Sequence, residues 1–146
     1  MARRIILDTG TIIAIERGKL DVDAVLGADD AAIASVTAME LLVGVERANE
    51  AHKQARSVRV EAVLASLPIE DYTIAVARIH ARLAVQAMST GKQRSAYDLM
   101  IAATAAATNR ILLTTDAKAE FSQLVGVRSE VISVPVSNRR EAQPSA

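Results

Sequence analysis

Four acidic residues stand at comparable points of a repeating pattern: Asp8, Glu40, Asp98 and Asp116. Asp8 and Asp116 close short apolar runs, Arg4-Ile-Ile-Leu-Asp8 and Ile111-Leu-Leu-Thr-Thr-Asp116, whereas Glu40 and Asp98 lie near the starts of two apolar helical stretches. Carboxylates set in that much aliphatic sequence need a partner, and gathered together they repel one another and resist ionising. A divalent cation would hold them charged and close. The chain has no cysteine and only His52 and His80 to offer imidazole, so the expected metal is oxygen-ligated. Mg²⁺ suits such donors, with Mn²⁺ as a substitute, because it keeps several waters and leaves room for a phosphate and a polarised water. The implied chemistry is hydrolysis of a phosphodiester.

Each acid also has a plainer reading as a helix cap. Asp8 and Asp116 could cap the helices that follow their strands, and Thr37-Ala-Met-Glu40 and Ser95-Ala-Tyr-Asp98 both fit a capping box. Capping explains each residue singly but gives no reason for all four to face one crevice. Strand ends and helix starts on one edge of a parallel sheet do converge.

The elements that would position the acids alternate along the chain. Residues 4–8 read as a buried strand and Thr11 to Arg17 as a helix stopped by Gly18. Ala31 to Ala34 suggests a second strand, Thr37 to Ala48 a helix, and Ala51 to Ser66 a more charged helix broken by Pro68. Pro68-Ile69-Glu70 offers a short strand, and the spacing of Tyr72, Val76, Ile79 and Leu83 predicts a helix to Met88 that ends near Gly91. Ala96 to Thr108 is apolar nearly all round, as in an enclosed helix. Strands at Ile111 to Thr114 and Val131 to Val134, with a short helix near Ala117 to Leu124, complete the pattern. The expected fold class is α/β, a three-layer α/β/α sandwich on a largely parallel sheet. One domain is expected over residues 1–135, with a flexible tail over 136–146.

Composition narrows the partners. The chain of 146 residues is 51% hydrophobic but 2% aromatic, so its core is aliphatic and extended base stacking is disfavoured. Lys and Arg total 17, as do Asp and Glu, so any polyanion must be met by a local basic patch. The apolar start is interrupted by Asp8, and no stretch approaches the roughly 20 residues of a membrane span. A cytoplasmic location, with no membrane, is therefore expected.

Four segments resemble the PIN domain family of metal-dependent nucleases, and specifically the VapC-type toxins of prokaryotic toxin–antitoxin pairs. They are Ile5-Ile-Leu-Asp-Thr-Gly-Thr-Ile-Ile13, Ser35-Val-Thr-Ala-Met-Glu-Leu-Leu42, Tyr97-Asp-Leu-Met-Ile-Ala-Ala103 and Leu113-Thr-Thr-Asp116 continuing to Phe121, in family order. The resemblance implies a PIN-like fold and a Mg²⁺-dependent endoribonuclease in which Asp8, Asp98 and Asp116 ligate metal. Glu40 either ligates or orients the attacking water. It further makes Thr114 a hydroxyl that helps to hold the last acid, and Thr9 and Thr11 supporting groups behind the ligands. Gly10 departs from the Ser or Asn often found at its position, so no side-chain role carries over there. The implied partners are an RNA substrate, a cognate VapB-type antitoxin and a second copy of the chain in a homodimer. The aliphatic faces around Met39 to Val45 and Val58 to Leu67 would serve either the core or such partners.

Other polar residues carry weaker expectations. Arg17, Lys19, Lys92 and Arg94 could border the crevice and meet RNA phosphates, against a solvated surface as the plain reading. His52, His80 and Glu16 read as surface or packed groups, with Glu16 a possible fifth acid. Two alternatives compete: a PIN-fold RNA-binding module without catalysis, and an aspartyl-phosphate phosphatase or phosphotransferase using Asp8. A receiver-type signalling domain needs a lysine that Lys118 is poorly placed to supply.

Overall fold

The computed structural model of the chain describes residues 2–134. Strand β1 (Arg4–Leu7) is the centre of the fold, and its Ile5, Ile6 and Leu7 are all fully buried, as in a parallel strand covered on both faces. It pairs with β2 (Asp30–Ala34) on one side and β4 (Ile111–Thr114) on the other. Two short strands close the edges, β3 (Ile69–Glu70) beside β2 and β5 (Ser129–Val131) beside β4. All pairings are parallel and the order is β3-β2-β1-β4-β5. Edges this short offer little template for further pairing.

The layers follow from the connections. The chain steps outward from β1 to β2 to β3 through α1 (Thr9–Glu16), α2 (Val22–Leu26), α3 (Ser35–Glu46) and α4 (Glu50–Ser66). It then returns across the sheet to β4 through α5 (Ile74–Thr90) and α6 (Ala96–Ala107). Crossovers of one hand put outward and returning helices on opposite faces. The two cores divide accordingly. Ile5, Leu7 and Ile33 pack with Ile12, Leu41, Val45 and Val60, while Ile6 and Leu112 pack with Val76, Leu83, Leu99 and Ile101. Alternation along β1 sends neighbouring side chains to the two layers.

The direction of travel reverses between β1 and β4. At such a reversal the loops leaving the two strands part to opposite faces and open a crevice beyond their carboxyl ends. Asp8 follows β1 and Asp116 follows β4.

Several boundaries differ from the expected ones for local reasons. Helix α1 starts at Thr9, two residues early, because Asp8 itself is the cap. Helix α3 starts at Ser35 directly from β2, with Ala34 as a cap that has no side-chain bond. Thr37 therefore lies inside the helix, and Thr37-Ala-Met-Glu40 is not a capping box. Helix α2 was not expected; it is one turn capped by Asp21 and ended by Gly27 at φ 51°. The segment after Asp116 forms two 3₁₀ turns, Ala117–Ala119 and Phe121–Gln123, rather than a helix. Strand β5 pairs at Ser129–Val131, not Val131 to Val134, because the register with Leu112, Leu113 and Thr114 selects the earlier residues. The expected tail at 136–146 lies outside the described residues. Among the described residues no helix is long and apolar enough to cross a membrane.

Candidate active site

Asp8 is the most firmly held of the four acids. It is 7% exposed and its extended backbone caps α1. Its Oδ1 accepts from the Thr11 amide at 2.9 Å and the Thr11 hydroxyl at 2.6 Å, and its Oδ2 accepts from the Thr114 hydroxyl at 2.5 Å. An ionised carboxylate has about four acceptor positions. Three are filled, and one stays open. The cap and the functional group are here the same residue, so the two readings of Asp8 do not compete.

Thr114 joins two of the acids. Buried at the end of β4, it donates to Asp8 while its oxygen accepts the Asp116 amide at 3.0 Å. Asp116 is exposed and caps the first 3₁₀ turn, its Oδ1 accepting the amides of Lys118 at 3.0 Å and Ala119 at 3.3 Å. Gly10 lies alongside. A Cβ there would sit 3.6 Å from the Thr115 hydroxyl and 3.9 Å from Asp8 Oδ1, so the position has room for a side chain and touches the site without needing one.

Glu40 stands in the second turn of α3, half-buried, and its Oε1 accepts the Thr9 hydroxyl at 2.7 Å. Thr9 also lies 3.2 Å from the hydroxyl of Thr37. Sequence reasoning missed this use of Thr37 because the false capping box had already assigned its oxygen. The signal that could have exposed it is the absence of any polar residue at position 34, which leaves the helix start without a side-chain cap.

Asp98 is the third residue of α6, whose cap Ser95 accepts the Tyr97 amide at 3.2 Å. The reciprocal half of that capping box is missing. Among the described residues the Asp98 carboxylate accepts no hydrogen bond. Burial raises its pKa above the ordinary value, and Asp8, Glu40 and Asp116 raise it further in that order, while Arg94 opposes them. The four acids therefore share one field. Among the described residues, however, no three acidic or histidine side chains are close enough to form a ready-made cation cage. The two observations agree if the carboxylates stand around the crevice within electrostatic range but apart from one another. An all-oxygen set of this kind, with one carboxylate lacking any donor, fits a hard cation that retains much of its water.

Of the basic residues, Arg94 lies within electrostatic range of Asp98, but it and Lys92 are bonded to the chain rather than turned to the acids. Arg94 donates to the carbonyls of Ala119 and Glu120, the latter at 3.2 Å, and Lys92 donates to the Lys118 carbonyl at 3.2 Å and pairs with Glu120 at 3.4 Å. Both tie the loop before α6 to the turn that Asp116 caps. Arg17 is exposed at the far end of α1, about 14 Å along the axis from Asp8. Glu16 pairs with Arg59 at 3.2 Å, its side chain largely covered. His80 meets the Tyr72 hydroxyl at 2.7 Å and His52 the Asn49 side chain at 2.7 Å.

Fold and site together define a parallel α/β/α domain with an acidic, oxygen-donor crevice at the reversal point of its sheet. Residues 5–126 match the PIN domain, and the chain belongs to that family. It is 30% identical over 135 residues to "Ribonuclease VapC" of Rickettsia bellii, covering 92% of this chain and 98% of that one. It is 34% identical over 137 residues to "Ribonuclease VapC1" of Rickettsia felis, covering 89% and 96%. Its fold matches a DNA-bound VapBC crystal structure from Salmonella typhimurium with a TM-score of 0.80 and 25% identity, covering 90% of this chain and 98% of that one.

Proposed function

We propose that the chain is a Mg²⁺-dependent endoribonuclease, the toxin half of a toxin–antitoxin pair. One observation carries the reading: a half-buried Asp98 that accepts no hydrogen bond and whose charged form is opposed by Asp8, Glu40 and Asp116. Half-buried and pressed by three other carboxylates, Asp98 is the group whose charge a bound cation would relieve. The names of the two Rickettsia relatives support ribonuclease activity. The VapBC complex that shares the fold supports a VapB-type antitoxin as partner.

In this reading Asp8, with one acceptor position open, and Asp98, with no donor among the described residues, would hold the cation. Asp116, with Oδ1 held by its own turn, contributes its other oxygen directly or through water. Bound Mg²⁺ supplies the Lewis acidity that polarises an attacking water and offsets charge on the phosphate. Glu40, tethered through Oε1, orients that water with its free oxygen or joins the ligands. Thr11 and Thr114 hold the Asp8 carboxylate in place. No side-chain nucleophile is needed. Both oxygens of Asp8 already accept short hydrogen bonds, which disfavours the aspartyl-phosphate alternative. The exposed Leu42, Val43 and Val58 on α3 and α4 offer apolar surface for a homodimer or the antitoxin.

The test is cleavage of total cellular RNA by purified protein with Mg²⁺ or EDTA, beside Asp98→Asn. Cleavage that requires Mg²⁺ and Asp98 is expected. A wild-type protein that binds RNA but never cuts it under any divalent cation would instead establish the non-catalytic binding module.

A further inference from the structure

We infer that Thr37, through Thr9, is a positioning residue for Glu40. The inference rests on the proposed metal-dependent cleavage and adds a residue to the machinery of that site. Thr37 is 0% exposed, yet it sits at the third residue of α3, where the carbonyl four residues back belongs to Ile33 in β2. Buried helical threonines usually donate to such a carbonyl. Thr104 in α6 does so, to Met100 at 2.7 Å. Among the described residues Thr37 does not, and its hydroxyl faces Thr9 at 3.2 Å.

Proton bookkeeping fixes the direction of the relay. An ionised carboxylate can only accept, so the single proton of Thr9 goes to Glu40 Oε1 at 2.7 Å. The Thr9 oxygen is then an acceptor, and the Thr37 proton has it as partner. A buried hydroxyl without an acceptor is costly, so Thr37 holds Thr9 in the rotamer that serves Glu40. The relay also spans two elements, since Thr9 begins α1 beside Asp8 and Thr37 and Glu40 lie on α3. It ties Glu40 on α3 to the start of α1, where Asp8 is the cap.

The test compares Thr37→Val, nearly isosteric but without the hydroxyl, with Thr37→Ser, which keeps it. Mn²⁺ binding by the RNA-free protein is measured by calorimetry, alongside RNA cleavage and a thermal melt. Loss of a group that orients a ligand lowers metal affinity about 10–100-fold. A loss of that size is expected in Thr37→Val, in Mn²⁺ affinity where Glu40 is a ligand and in cleavage alone where it orients the water, with rescue in Thr37→Ser. In the Thr9→Val background, Thr37→Val is expected to cost nothing more, because the relay is serial. Thr37→Val with wild-type Mn²⁺ affinity and cleavage, or effects that add to those of Thr9→Val, would overturn the inference. If Thr37→Val does not fold, the wild-type Thr37 hydroxyl proton decides by NMR: slow exchange that Thr9→Val abolishes supports the relay, and fast exchange in wild type refutes it. Wild-type protein that neither binds Mn²⁺ nor cuts RNA points instead to failure of the underlying functional reading.

Discussion

Thr114→Val removes the one hydroxyl that connects Asp8 to the turn of Asp116 while leaving the shape of the side chain nearly unchanged. Thr114 is 1% exposed and its bond to Asp8 Oδ2 is 2.5 Å, so solvent does not replace it. A hydrogen bond to a charged group contributes about 1.5–3 kcal/mol. The methyl that replaces the hydroxyl returns about 0.8 kcal/mol through burial. The Asp116 amide, which loses its acceptor, sits at an exposed residue and finds water. The net destabilisation is about 1–2 kcal/mol, or a fall in Tm of about 3–6 °C for a chain of this size. Calorimetric melts of the cation-free protein measure it. Cleavage is expected to fall about 10–100-fold, since Asp8 then keeps only the Thr11 bonds to Oδ1 and its Oδ2 loses the Thr114 donor. Thr114→Ser separates packing from hydrogen bonding: it loses about 1 kcal/mol with its methyl yet keeps most of the cleavage. A Thr114→Val protein that melts and cuts like wild type would refute the claim that this hydroxyl holds the site.

Asp98→Asn is expected to abolish cleavage and to raise stability at neutral pH without divalent cation. The folded-state pKa of Asp98 lies above its ordinary 3.8, so the native state holds the proton more tightly than the unfolded chain. Its contribution to stability is therefore lost as pH rises through the ordinary carboxylate range toward the raised value. Melts as a function of pH should show that decline in wild type and a flatter profile in Asp98→Asn. An Asp98→Asn protein less stable than wild type at neutral pH contradicts the shared-field description. Mg²⁺ should raise the wild-type Tm, by an amount corresponding to about 2.7 kcal/mol at one hundred times its dissociation constant, and raise that of Asp98→Asn less. Arg94→Gln should lower cleavage by loosening the turn after Asp116 while leaving the salt dependence of RNA binding unchanged. A direct phosphate contact would instead reduce the log–log salt slope by about 1.

The acids were legible in the sequence because strand ends and helix starts leave marks: Asp8 and Asp116 close aliphatic runs, and Asp98 follows a serine cap. Strand order was not legible, and it is the order that opens the crevice between β1 and β4. Thr37 was misread because β2 passes into α3 with no linker, so nothing in Ala34-Ser35-Val36-Thr37 separates strand from helix. Helix α2 is too short for periodicity to register, and only Asp21 and Gly27 mark its ends. Lys92 and Arg94 were visible as charges, but their acceptors are backbone carbonyls some 25 residues downstream, which composition and spacing do not encode. The aliphatic run at Val131 to Val134 pointed to a strand correctly and to its register wrongly, because pairing with β4 decides which residues join.

The account turns on whether four acids that share a field work as one metal-dependent centre. Cleavage of total RNA by wild type and by Asp98→Asn, each shown folded by its melt and assayed in Mg²⁺ and in EDTA, tests this most directly. The account predicts cutting only by wild type in Mg²⁺. Equal cutting in EDTA, or undiminished cutting by Asp98→Asn, would contradict it.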